Sequence, residues 1–263
     1  MSRTIVLIHG AWLNAHSWEG FKARYEAAGH RVIASDWPYD DRPPGALRDA
    51  PDPRLPTLTQ RQIVDHYQRI VEALPEEPIL IGHSLGAVIV QHLLDRGLGA
   101  AGVAIDPAPT PGVALHRHAI VSALPVFLDP LSWRKAKVMS RRFFRTRFAQ
   151  TVPPAKADLL YDRYIVPTPG RVYWNGVVNP MKIRWDNPAR APLLLIGGEL
   201  DLIADASMTA AIYDKQKLAP TQTELRVFPG RSHWTCIDQG WEEVADTALH
   251  WAEANARAPR AVR

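Results

Sequence analysis

Short apolar runs alternate with amphipathic stretches along most of this chain. Residues 4–8, 79–81 and 193–196 are continuous apolar runs, as expected of parallel strands that are covered on both faces. Residues 60–73 carry apolar side chains at helical spacing after a capping threonine. Further strands are predicted at 31–34, 102–106 and 225–228. Six strands with intervening helices indicate an α/β fold with a mainly parallel sheet.

The alternation stops between residues 109 and 190. This segment is rich in proline, basic residues and aromatic residues, and helical patterns occupy 131–149 and 154–164. We therefore predict a core formed by 1–108 and 191–256, with 109–190 inserted as a helical cap. Residues 257–263 are polar and interrupted by proline, so a flexible tail is expected there.

A serine stands where the third strand passes into a helix, in Gly82-His83-Ser84-Leu85-Gly86. Glycines two residues before and after a serine allow the sharp turn of a nucleophile elbow, where a Cβ atom would clash. The backbone N–H of Leu85 begins the helix, at the positive end of its dipole. Ser84 is thus the candidate nucleophile.

A serine hydroxyl needs a base and an orienting carboxylate to attack a carbonyl at neutral pH. His233 follows the last strand in a glycine-containing loop, and Asp201 follows the strand at 193–196. Two other carboxylates compete with Asp201. Glu199 stands two residues earlier and is suited to capping a turn, and Asp106 ends the fourth strand. Asp201 is preferred because Asp106 is also explained as part of a turn before proline.

Composition and charge bear on which partners this chain could bind. The chain has 263 residues, a net charge of +4 and a pI of about 9.3, and seven basic residues without an acidic one lie between Arg134 and Arg147. Such a run can attract anionic substrates or membranes. A solvated helix face explains it more simply, so neither a nucleic acid nor a membrane is expected as a partner.

Cys236 is the only cysteine, which excludes an intramolecular disulfide bond. The apolar run at 4–8 is too short for a signal peptide or a membrane span. A cytoplasmic location is the expectation.

With Ser84, Asp201 and His233 in this order and His9-Gly10 after the first strand, the chain resembles the α/β-hydrolase fold family. Within that family it is most similar to compact serine esterases and to the plant methylesterase and hydroxynitrile lyase group. The resemblance implies an oxyanion hole formed by the backbone N–H groups of Ala11 and Leu85. Several aromatic residues are candidates for an apolar substrate pocket, although those in the cap fit an ordinary core equally well. These are Trp12, Trp234, Phe127, Phe144 and Trp174.

The expected activity is hydrolysis of a small carboxylic ester or lactone through an acyl-enzyme on Ser84, without metal or cofactor. A ligand-binding signalling protein with slow or single turnover is an alternative, since receptors of this fold share these motifs. A hydroxynitrile lyase is a weaker alternative. Members of that group place Lys after the catalytic histidine and Thr after the first-strand histidine, where this chain has Trp234 and Gly10.

Overall fold

The central feature is a six-stranded parallel sheet, seen in a computed structural model that describes residues 2–258. Its strand order is β2-β1-β3-β4-β7-β8, and every neighbouring pair is parallel. These strands are β1 (Thr4–Ile8), β2 (Arg31–Ala34), β3 (Ile79–His83), β4 (Ala101–Ile105), β7 (Leu193–Gly198) and β8 (Thr223–Phe228). The predicted α/β sheet of six strands is confirmed.

Helices cover both faces of this sheet, as continuous apolar strands require. The helices of the core are α1 (Glu19–Ala27), α2 (Pro44–Asp49), α3 (Gln60–Glu72), α4 (Leu85–Asp95), α9 (Ala206–Gln216) and α10 (Trp241–Asn255). In β1, Ile5 and Leu7 join an apolar cluster with residues of α1 and α10, whereas Val6 and Ile8 join a second cluster with residues of α3, α4 and α9. Alternate side chains of one strand thus hold both layers.

Two helix starts follow from capping residues. Thr59 accepts from the backbone N–H of Gln62, whose side chain accepts in return from the N–H of Thr59, which completes a capping box at α3. Asp205 caps α9 by accepting from the N–H of Met208 at 3.0 Å. The start of α3 agrees with the sequence pattern.

The segment 109–190, which lies between β4 and β7 and which we call the cap, contains helices and one pair of two-residue antiparallel strands. Its elements are α5 (Arg117–Phe127), β5 (Ala136–Lys137), α6 (Arg141–Phe143), a π-helical turn (Phe144–Phe148), α7 (Pro154–Tyr164), β6 (Thr168–Pro169) and α8 (Gly170–Val178). The helix expected across 131–149 is wrong in its first half. There the chain forms only a short 3-10 turn, Ser132–Arg134, and then extends as β5 and pairs antiparallel with β6. The α-helical part begins after Ser140, which caps Phe143.

The end of the chain is partly attached. Arg257, the first residue of the expected tail, donates its backbone N–H to the carbonyl of Ala100 at 3.0 Å. Residues 259–263, where the rest of that tail was predicted, lie outside the described residues. Within 2–258, no helix combines the length and the apolar character needed to cross a bilayer.

Candidate active site

Ser84 occupies a strained turn between β3 and α4. Its φ of 56° and ψ of −118° lie outside the regions that non-glycine residues favour. The turn is feasible only with glycine on both sides. A Cβ on Gly82 would lie 2.3 Å from the carbonyl oxygen of Gly86, and a Cβ on Gly86 would lie 2.1 Å from that of Ile8. The backbone N–H of Ser84 donates to the carbonyl of Ile105 at 2.9 Å, which fastens the turn to β4.

Asp201 and His233 form a direct pair at the carboxyl end of the sheet. The Nδ1 atom of His233 lies 2.6 Å from Oδ2 of Asp201, and both side chains are buried. The other carboxylate oxygen, Oδ1, accepts from the backbone N–H groups of Ile203 at 2.6 Å and Ala204 at 2.9 Å. Both oxygens of Asp201 are therefore fixed, which orients the imidazole.

This pairing determines the protonation of His233. Because the carboxylate accepts from Nδ1, the neutral ring carries its proton there and leaves a lone pair on Nε2. The Nε2 atom is buried and makes no hydrogen bond with any residue of the described chain. Burial alone lowers the pKa of His233, but the charge and hydrogen bond of Asp201 outweigh it and raise this pKa above 6.5, with a further contribution from Asp106.

No hydrogen bond joins the Ser84 hydroxyl to Nε2 of His233 in this structure. Other contacts bring the two residues to the same place. The ring of His83, next to Ser84, lies 4.7 Å from the ring of His233, and its Nε2 donates to the His233 carbonyl at 2.9 Å. Catalytic hydrogen bonds are often long in ligand-free sites and tighten when substrate binds.

Asp106 is a second buried carboxylate beside this pair. Its Oδ1 accepts from the N–H of Gly198 at 2.7 Å, and its Oδ2 has no hydrogen-bond donor among the described residues. Burial and the charge of Asp201 raise the pKa of Asp106 to about 7. Asp201 therefore makes the direct hydrogen bond with His233. Asp106 makes none with this ring and affects the pKa of His233 through its charge.

One group of potential metal ligands occurs among the described residues. Side-chain atoms of His83, Asp106 and His233 lie within 4.8 Å of one another. However, His83 Nε2 donates its proton to a carbonyl, so this nitrogen has no lone pair for a metal. The hydrogen-bond pattern therefore favours an acid–base arrangement of these residues over a metal centre.

The loop after β1 approaches the serine closely. A Cβ on Gly10 would lie 2.7 Å from Cβ of Ser84, so this position requires glycine. The backbone N–H of Ala11 donates to no acceptor among the described residues. The N–H of Leu85 stands at the first position of α4, where no intrahelical acceptor exists. Two buried N–H groups are therefore available near Ser84.

His9 supports this loop in its neutral form. Burial lowers the pKa of His9 to about 4. Its Nε2 accepts from the N–H of Trp37 at 3.2 Å, and the two rings stack at 4.8 Å. His9 therefore braces the loop through its hydrogen bonds.

The cap reaches directly into the site through residues that sequence reasoning did not assign. Trp12 has a φ of 62°, and its backbone N–H donates to Oγ1 of Thr168 at 2.5 Å. Its carbonyl accepts from the N–H of Val166 at 3.0 Å. The ring of Phe148 packs edge-on against the ring of His233 at 4.8 Å. No local pattern marks Thr168 or Phe148, because their roles arise from contacts across the cap boundary.

The predicted pocket aromatics fall into two groups. Phe144 packs against Trp234 at 5.1 Å, near His233, and Trp12 contacts Phe143 and Tyr173 of the cap at 6.1 and 5.3 Å. Phe127 and Trp174 instead pack against each other at 5.0 Å. Trp174 also donates to Oγ of Ser132 within the cap. The structure thus brings Trp12, Trp234 and Phe144 to the site, whereas Phe127 and Trp174 form a half-buried pair within the cap.

The site is closed in this conformation. Ser84 is 7% exposed and His233 is fully buried. A cavity of about 10 Å³, roughly the volume of one water molecule, borders His83 and His233. The space beside His233 is filled by Phe148 of the cap and Trp234 of the core. A substrate larger than water therefore requires side chains around His233 to move.

This geometry agrees with the comparisons to known proteins. Residues 5–247 match the alpha/beta hydrolase family. The chain belongs to that family. A curated relative is Methylesterase 8 of Arabidopsis thaliana, 25% identical over 189 residues, which are 66% of this chain and 64% of the relative. The match thus spans less than two thirds of that relative's length.

Solved structures of other proteins extend the comparison with this alpha/beta hydrolase across nearly the whole chain. A monoacylglycerol lipase of Paleococcus ferrophilus superposes with a TM-score of 0.66 at 18% identity, covering 96% of this chain and 95% of the lipase. Polyneuridine aldehyde esterase gives 0.69 at 16% identity, with 96% and 100% covered. A methylesterase from Arabidopsis gives 0.68 at 15% identity, with 96% and 99% covered. At these identities the likeness establishes the shared fold.

Proposed function

We propose that this alpha/beta hydrolase is a carboxylic ester hydrolase that acts through an acyl-enzyme on Ser84. The observation that carries this proposal is the buried pair of His233 and Asp201, which leaves an unpaired Nε2 lone pair beside the strained serine turn. An unprotonated imidazole held by a carboxylate is the base that a serine nucleophile needs. The esterase names of several relatives support the same class of reaction.

In the first half of this reaction, Nε2 of His233 removes the proton of the Ser84 hydroxyl as its oxygen attacks the ester carbonyl carbon. Asp201 stabilises the imidazolium that forms. The N–H groups of Ala11 and Leu85 donate to the developing oxyanion, and loss of one such donor typically costs about 3 kcal/mol of transition-state stabilisation. The imidazolium then gives its proton to the leaving alkoxide, and the alcohol departs.

The second half uses the same groups with water as the nucleophile. His233 takes a proton from water, the resulting tetrahedral intermediate collapses, and Ser84 recovers its proton as the carboxylic acid leaves. A lactone passes through the same two steps and yields a hydroxy acid. The rings of Trp12, Phe144 and Trp234 favour an apolar acyl or alcohol group.

The deciding test is the Ser84→Ala variant assayed on short p-nitrophenyl esters and simple lactones. We expect kcat to fall on the order of a million-fold, because the nucleophile and its base act as a unit. A fluorophosphonate probe should label the wild-type chain and leave Ser84→Ala unlabelled. Ser207→Ala is the matched control, since Ser207 is exposed and lies outside this site. Undiminished hydrolysis by Ser84→Ala would refute the proposal.

The same assay separates an enzyme from a receptor of this fold. We expect product to exceed enzyme by many equivalents under substrate excess, as the acyl-enzyme is resolved by water. Release of one equivalent of alcohol followed by arrest would favour the signalling alternative and contradict the proposal.

A further inference from the structure

Helix α5 of the cap turns large apolar side chains toward solvent. Ile120, Leu124 and Leu128 are spaced four residues apart, which places them along one side of the helix. All three are exposed, Leu128 by 76%, and Val121 is exposed beside them. We call these four residues the α5 face.

The side of α5 that faces inward is less apolar than the side that faces outward. The buried residues of this helix are Ala119, Ser122 and Val126. A helix oriented only by burial against its own domain would turn isoleucine and leucine inward. The inverted arrangement therefore marks the α5 face as a surface that contacts another body.

Exposed apolar residues are concentrated in the cap. Among residues 2–258, thirteen large apolar side chains are exposed, and ten of them lie within 109–190. Two of the ten, Val177 and Val178, stand one helical turn beyond Trp174, whose ring packs against Phe127 of α5. They thus extend the apolar surface from α5 onto α8.

The same segment has a larger net positive charge than the whole chain. Residues 109–190 contain 14 lysines and arginines and four acidic residues, whereas the rest of the chain contains 17 and 23. The cap is strongly cationic on a core with a net negative charge. Any partner of this surface must therefore tolerate or complement positive charge.

Cations stand at both ends of the α5 face. Arg117 begins the helix and is exposed. Beyond its other end, the guanidinium groups of Arg134 and Arg171 lie over the ring of Trp133, at 4.3 and 5.1 Å from its centre. None of these three arginines makes an ion pair with a residue of the described chain. Their charges are available to an external anion.

Two kinds of partner could cover the apolar α5 face, namely a second copy of this chain or a lipid surface. Their charges distinguish them. A second copy docked symmetrically through the same face would bring two cationic caps together, which repulsion disfavours. An anionic phospholipid surface offers acyl chains to the apolar side chains and negative headgroups to the arginines. We propose that the α5 face binds the surface of bilayers that contain anionic phospholipids. This revises the expectation, drawn from the sequence, that the protein has no membrane partner.

The test is sedimentation of the full chain with vesicles of ether-linked lipids, which contain no ester for the enzyme to cleave. We expect the chain to sediment with vesicles of phosphatidylcholine and phosphatidylglycerol at low salt. Binding should fall as salt is raised, because headgroup attraction is screened. Vesicles of phosphatidylcholine alone should bind weakly.

Two double variants assign the contact to this surface. Arg117→Gln with Arg134→Gln should weaken partitioning about fivefold for each arginine, and Leu124→Gln with Leu128→Gln should weaken it about tenfold or more. Arg61→Gln and Leu218→Gln are matched controls, since both residues are exposed on the core. All four residues of the double variants are exposed, so we expect the fold to be retained, and circular dichroism checks this.

Two outcomes would overturn the proposal. One is that binding to the anionic vesicles at low salt is absent or is lost equally in the core controls, so that the α5 face makes no specific contribution. The other is sedimentation equilibrium that shows a dimer which the α5 variants dissociate, since that assigns the face to a second copy. Vesicle binding does not require turnover, so failure of the proposed ester hydrolysis would leave this result unaffected.

Discussion

Two buried carboxylates, Asp106 and Asp201, lie next to one imidazole, and their different contacts predict different roles. Asp201 is hydrogen-bonded to Nδ1 of His233, whereas Asp106 influences the ring through charge. Asp201→Asn should lower kcat about 10⁴-fold, because the neutral amide no longer holds the correct tautomer. Asp106→Asn should retain most of kcat, since the asparagine oxygen can still accept from Gly198. Equal losses in the two variants would contradict this division.

The pH profile distinguishes the same two residues. His233 acts only when neutral, and its pKa is raised above 6.5, so kcat/KM should fall as the pH drops through that raised value. Removing the charge of Asp106 removes one of the causes that raise the pKa of His233. The acid limb of Asp106→Asn should therefore lie at lower pH than that of the wild type. An unmoved or upward-shifted limb, measured from pH 5 to 9, would show that Asp106 does not act on His233.

Single residues of the site were predictable where a local pattern marked them. Ser84 lies between two glycines, and Asp201 and His233 follow the ends of strands, so topology alone brings them to one edge. Thr168 and Phe148 have no such mark. Their contacts with Trp12 and His233 depend on how the cap folds back onto the core.

At the scale of elements, the loop after β1 and the turn after β3 fit together through glycines. Gly10→Ala places a methyl group where Ser84 and the carbonyl of His83 already lie, 2.7 and 2.9 Å away. We expect kcat/KM to fall about a hundredfold or more, since the proposed oxyanion donor at Ala11 moves with the loop. Gly176→Ala in α8 is the control, because its nearest neighbour is 3.6 Å away. Full activity in Gly10→Ala would show that the loop tolerates displacement.

Several elements of the core were predictable because they follow from their own sequence. The strands β1, β3 and β7 have continuous apolar runs, and the helices α3 and α9 have capping residues, so none of these needs information from distant residues. The short strand β5 has no periodic pattern. It exists because Ala136 and Lys137 pair with residues 169 and 168, more than thirty positions later, and this pairing replaced the predicted helix.

For the whole molecule, the closed site implies that the cap moves to admit substrate. One contact that fastens the cap is Glu19 of α1, which accepts from Arg163 at 2.6 Å and from the Tyr164 hydroxyl, whose ring packs on Trp234. Glu19→Gln should speed labelling of Ser84 by a bulky fluorophosphonate several-fold, consistent with the modest strength of a partly exposed ion pair.

Glu26→Gln is the matched control for this measurement. Glu26 lies on the same helix, but its partner is Lys22 at 3.5 Å and not a residue of the cap. Its labelling rate should equal that of the wild type. If Glu19→Gln also labels at the wild-type rate, the contact between α1 and the cap does not limit access.

The hydrogen bond between the Trp12 backbone N–H and the Thr168 hydroxyl has a consequence for protein engineering. Thr168 and Val166 belong to the inserted segment, yet they fix the backbone next to the proposed anion-stabilising amide. A chimera that carries the insertion of another hydrolase would therefore change turnover along with selectivity. Libraries that diversify this segment should keep the threonine and its short strand if the chemical step is to survive.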